Sequence, residues 1–248
     1  MVESILSPRS LIRAISEIDW DEQKLESERL IFLKWANSLD AAWGKKNETE
    51  LTNPFYSQIL VGVLGYVEGP QSEYTIAYEN RTKTTTQKPD VVLGKFDDLN
   101  PGTQPTALIE FESPATSLDE KEKGVGQAFR YQSQYVEPVR WIIASNFREI
   151  RIYDRTREHV ETFDIHALAN DDNQIKRLHI FLGAPQIVGM SEADGVPLLD
   201  ELVENNVAEQ ERISKAFYSD YVEVRRNVEQ NITENNPDVS GDQAFSYA

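Results

Sequence analysis

The sequence predicts an α/β fold: a mixed β-sheet flanked by helices, with helical extensions at both ends. Three observations carry this. Short apolar or alternating runs at Tyr74–Tyr78, Val91–Leu93, Ala107–Ile109, Val139–Ala144 and Glu149–Asp154 read as strands. Segments with helical spacing lie before, between and after them. After Gly183-Ala184-Pro185 the strand signal stops, and a helical pattern runs from about Ser191 to Asn236.

Ser7-Pro8-Arg9-Ser10 has the form of a helix start. From Asp21 to Trp43, Leu25, Leu30, Ile31, Leu33, Trp35, Leu39 and Ala42 mark a long amphipathic helix, broken by Gly44-Lys45-Lys46-Asn47. A second helix is expected from Glu48 to Leu64, with Leu51, Phe55, Ile59, Leu60 and Val63 inward and Gly65 at its end. Tyr74–Tyr78 alternates. Glu79–Gln87 is polar and threonine-rich, hence a turn, and Asn100-Pro101-Gly102 marks a turn inside the Asp97–Pro105 loop. Helical spacing returns from Leu118 to Tyr135. The mostly continuous apolar run Val139–Ala144 reads as a central strand, and Glu149–Asp154 as a half-exposed one. Three regions follow: an N-terminal helical extension over 1–46, a core over 47–190, and a C-terminal helical connector with a frayed tail over 191–248.

The chain has 248 residues and no cysteine, which excludes disulfides and thiolate metal sites. No apolar run approaches the roughly 20 residues that span a bilayer. The N-terminus lacks the apolar core of a signal peptide, so the cytoplasm is the expected compartment. The formal net charge is −17. That is the wrong sign for a domain that grips DNA phosphates alone. It fits an acidic solvated surface, or adaptation to high salt, where charges are screened within about 3 Å at 1 M.

The chemistry gathers at two acidic strand ends. Lys88-Pro89-Asp90 opens the run Val91-Val92-Leu93, and Glu110-Phe111-Glu112 closes Ala107-Leu108-Ile109. A carboxylate at a buried strand end is costly unless compensated, and hard divalent cations take oxygen ligands. Asp90 and Glu110 are the candidate ligands, with the Phe111 carbonyl as a third. Glu112, two residues on, shares the face of Glu110 and is a further ligand or a general base. Gln127 and Tyr131, four apart on the following helix, share one face. His159, His166 and His179 are scattered without ligand spacing, and Glu50 is either a further metal-linked acid or a favourable charge at a helix N-terminus. Arg148, Arg151 and Arg155 either touch phosphate or pair with acids.

These pieces resemble the N-terminal nuclease domain of type IIG fused restriction-modification enzymes, of the PD-(D/E)xK, restriction-endonuclease-like superfamily. The match rests on Leu64-Gly65-Tyr66, Lys88-Pro89-Asp90, Ala107-Leu108-Ile109-Glu110, Gln127-Ala128-Phe129-Arg130-Tyr131 and Ser145–Tyr153, in family order across Glu48–Leu182. The resemblance implies a restriction-endonuclease-like core that cleaves DNA with Mg²⁺, or with Mn²⁺ in its place. It makes Asp90 and Glu110 metal-binding acids and Gln127 a supporting residue. Glu112 stands where the family usually has lysine. In such enzymes a helical connector follows, then an S-adenosylmethionine-dependent methyltransferase and a target-recognition domain. The methyltransferase Asn-Pro-Pro-aromatic motif has no match here; Thr52-Asn53-Pro54-Phe55 lacks the second proline. Those parts would be a further domain or subunit. Many nucleases of this fold cut as dimers, which leaves a dimer open. The alternative reading, prompted by Glu112 and the acidity, is a nuclease-fold scaffold or partner-docking module that no longer cuts.

Overall fold

In the computed structural model, residues 4–69, 73–78, 88–97, 105–120, 122–135, 137–189, 198–236, 238 and 245–246 are described. The turn expected over 79–87, most of the Asp97–Pro105 loop, the start of the C-terminal helical region at 191–197 and most of the tail lie outside them. The chain divides into two compact units, Met1–Val203 and Glu204–Ala248.

The first unit opens with α1 (Pro8–Ser16), capped by the Ser7 side chain with Pro8 in its first turn, and α2 (Glu22–Asp40), capped by Asp21. α3 (Glu48–Phe55) follows and runs on as a π-helical turn, Tyr56–Val61. The helix expected to continue to Leu64 thus widens part-way. Pro54 lies inside α3 and supplies no amide hydrogen. Beyond it, amides reach back five residues, as Gly62 does to Ser57 and Leu64 to Ile59. Gly65 ends the segment with φ +80.

Six strands form one sheet in sequence order: β1 (Tyr74–Tyr78), β2 (Val91–Phe96), β3 (Ala107–Phe111), β4 (Trp141–Ser145), β5 (Glu149–Asp154) and β6 (His159–Asp164). Neighbours are antiparallel except β3 and β4, which are parallel. A parallel pair needs a crossover, and α4 (Gly124–Gln132) supplies it. This is the mixed sheet of the restriction-endonuclease-like class. α5 (Ile165–Asn170), α6 (Asp172–Leu182) and α7 (Ala184–Val188) complete the unit, and α8 (Leu198–Asn235) runs from it into the second.

Two departures from expectation have physical causes. The helix expected over Leu118–Tyr135 is only Gly124–Gln132. Glu122 and Gly124 take left-handed backbone angles, φ 70 and φ 46, which stop a helix from extending through them. β6 and the short helices after it carry no clear periodicity. In β6 both Val160 and Glu161 are buried, Glu161 against Arg177 at 2.6 Å, so the inside–outside alternation is lost.

Alternate residues of the central strands enter two separate cores. Val91, Leu93, Ala107, Ile109, Phe111, Trp141 and Ile143 join the large one, with α2, α3 and α6. Val92, Phe96, Leu108 and Ile142 join a smaller one with Ala128, Phe129 and Tyr131 of α4. At the heart of the larger core, Phe111 stacks on Phe147 at 5.1 Å, and Phe55 meets Phe111, Phe147 and Trp35 edge-on at 5.3–5.5 Å.

Candidate active site

Asp90 sits one residue ahead of β2. The β2–β3 register pairs Val91 with Ile109, so one further step sets Asp90 across from Glu110. The Phe111 amide donates to Asp90 Oδ2 at 2.7 Å, which locks the two strand ends together. Phe111 serves through its backbone, while its ring is buried in the aromatic core.

Glu110 points to the α4 side of β3. The amide of Gln127 donates to Glu110 Oε1, and its Nε2 also lies 3.0 Å from the Tyr131 hydroxyl. Glu110 Oε2 is buried and has no hydrogen-bond partner. The pairing of Gln127 with Tyr131 on one helical face is therefore as the four-residue spacing implies.

Glu112 lies just past β3 and is 8% exposed. Its amide donates to the Ser145 carbonyl at 2.9 Å, extending the β3–β4 pairing. Its Oε1 accepts from the Gly124 amide at 2.8 Å, the first residue of α4. Gly124 can make that bond because it holds φ +46. A Cβ there would lie 3.1–3.2 Å from Leu118.

A fourth acid joins from α3. Burial, then the charges of Asp90 and Glu112, push the Glu48 carboxyl up to about 7. Sequence reasoning weighed Glu50 for such a role and passed over Glu48. The signal was nonetheless present in Asn47-Glu48-Thr49-Glu50. Asn47 and Glu50 form a reciprocal capping box, the Asn47 amide to Glu50 at 3.2 Å and the Glu50 amide to Asn47 at 3.0 Å. Glu50 is committed to that box, and Glu48 becomes the first residue of the helix.

Burial raises Glu110 furthest, to about 10, with Asp90, Glu48 and Glu112 adding to it and Gln127 opposing. Four carboxylates thus share one sheet end, and two of them hold protons far above the ordinary range. Carboxylate oxygens are the donors that hard divalent cations take, and one oxygen here is buried and unbonded. Among the described residues, no group of three or more His, Asp and Glu side chains is placed to hold a metal ion in this structure.

Arg148, Arg151 and the three histidines are otherwise engaged. Arg148 donates to the Pro114 and Leu39 carbonyls, and Arg151 pairs with Glu149 and Asp119. His159 meets Thr162, His166 meets Asp40, and His179 meets Glu28. Among the described residues, no helix is long and apolar enough to cross a membrane.

A family model described as MmeI, N-terminal domain, matches residues 33–210, well over half of the chain. No curated protein and no solved structure matches it.

Proposed function

The chain belongs to the family of the MmeI N-terminal domain, a domain of type IIG restriction enzymes, and on that premise we propose that it is a metal-dependent DNA endonuclease domain with Glu-x-Glu in place of Glu-x-Lys. The observation that carries this is the convergence of Glu48, Asp90, Glu110 and Glu112 on one end of the sheet, with Glu110 Oε2 buried and unbonded. Mg²⁺ or Mn²⁺ held by Asp90 and Glu110 would neutralise the phosphate and make a bound water acidic enough to attack it.

Around that centre the chain's own residues have separate tasks. The Phe111 amide fixes Asp90, and Gln127 fixes Glu110. Glu48, raised to about 7, titrates near neutral pH and would be the group to exchange a proton with an attacking water. Glu112 brings a negative charge where a lysine would bring a positive one. Its Oε1 is occupied by Gly124, so its remaining oxygen is the one available to a ligand or a water. A chain of net charge −17 grips DNA poorly alone. DNA binding and target choice are therefore assigned to a methyltransferase and target-recognition domain or subunit working with it.

Plasmid cleavage in Mg²⁺ or Mn²⁺ tests this, with nicking of any sequence counted as activity. Asp90→Ala should abolish cutting; cutting retained in that variant would sink the assignment. Glu112→Gln, which removes the charge but keeps an acceptor for Gly124, should keep or raise activity. If no form cuts, melting decides. A rise with Mg²⁺ or Mn²⁺ that Asp90→Ala removes keeps the metal site, whereas no shift favours the scaffold reading.

A further inference from the structure

The second unit is dominated by α8, and its exposed side chains are unusual for a free helix. Val207, Ile213, Phe217, Tyr221, Val224 and Val228 are 40–71% exposed. At 3.6 residues per turn they fall within about 120° of the helix circumference. Of the charged residues from Glu204 to Asn235, only Arg225 touches that arc, at its edge. An isolated helix gains little stability in water from propensity alone, and such a stripe is normally covered.

We propose that α8 is one strand of a parallel two-stranded coiled coil formed with a second copy of this chain. The spacing argues for this occupant. Phe217, Tyr221, Val224 and Val228 are separated by four, three and four residues, the repeat of a coiled-coil seam. Charge agrees. In a parallel pair the flanking Asp220 of each copy faces Arg225 of the other, five residues further along, giving two opposite-charge contacts by symmetry. Arg225 already donates one Nη2 hydrogen to the Phe245 carbonyl at 3.0 Å and lies over the Phe245 ring at 3.8 Å, and a guanidinium has donors to spare. Area agrees as well, since the exposed stripes of two copies together offer on the order of 1,000 Å², the threshold of a specific interface. The stripe is built independently of the carboxylate site, so this inference stands or falls apart from the proposed cleavage.

Sedimentation of the full chain over a range of concentrations tests it. A dimer is expected in the micromolar range, converted to monomer by Tyr221→Glu with the first unit's melting unchanged. Asp220→Lys should weaken association at least tenfold, and adding Arg225→Glu should restore it. The chain has no cysteine, so Val224→Cys supplies its sole thiol. In a parallel pair equivalent residues meet at every seam position, whereas in an antiparallel pair they meet only at the two-fold axis, so oxidation should cross-link both this variant and a separate Phe217→Cys variant. A chain that stays monomeric at tens of micromolar would overturn the proposal. So would a dimer indifferent to Tyr221→Glu, and a dimer in which Val224→Cys fails to cross-link would overturn the parallel arrangement.

Discussion

The two faces of β3 carry opposite chemistry on the same five-residue strand. Ala107, Ile109 and Phe111 enter the large core among buried apolar and aromatic side chains. Leu108 and Glu110, followed by Glu112, turn toward α4, where carboxylates crowd together with one oxygen left unbonded. The first face is organised to lower the energy of the fold, and the second holds energy in reserve. What makes this arrangement workable is that the strand backbone is fixed from the first face. The Phe111 ring is pinned by Phe55 and Phe147, and the same residue's amide holds Asp90.

Substitutions on either face should separate these roles. Phe111→Ala removes the pinned ring and should cost about 3–5 kcal/mol of stability. Denaturant unfolding would read it, and a loss below 1 kcal/mol would show that the aromatic cluster does not anchor the strand. Gln127→Ala, on the other side, removes a support for Glu110 and not a ligand. It should lower cleavage about 10- to 100-fold and weaken Mg²⁺ dependence, with little change in melting. Equal cleavage by that variant would mean that Glu110 is oriented by something else.

A third effect is in pH dependence. Glu110 and Glu48 bind protons more tightly folded than unfolded, because burial and neighbouring acids raise them from 4.5 to about 10 and about 7. Between those values the folded chain holds more protons than the unfolded one, so this contribution to stability falls as pH rises. Glu110→Gln removes the larger part. Its melting temperature should match the parent's near pH 4.5 and exceed it increasingly toward pH 9. A gap that shrinks with rising pH would contradict the raised Glu110.

Much of this was legible in the residues. β1 and β5 fall where alternation placed them, and Ser7-Pro8 starts α1 as its chemistry requires. The class of the sheet followed from strands separated by a helix. Where reading failed, tertiary structure had overridden a local pattern. α4 is shortened by left-handed residues that periodicity does not register, and β6 hides because Glu161 is buried with Arg177. At the site, the sequence brought forward Asp90, Glu110, Phe111, Glu112 and Gln127, which lie at the same end of the sheet. It missed Glu48, because linking α3 to the strand ends depends on packing across the large core.

The bond between Glu112 and the Gly124 amide bears on which side chains position 112 can hold. A lysine at position 112 has no acceptor to offer, so that substitution would release the start of α4 along with the charge. That helix also carries Gln127, the support of Glu110. Glu112→Lys would therefore disturb two parts at once.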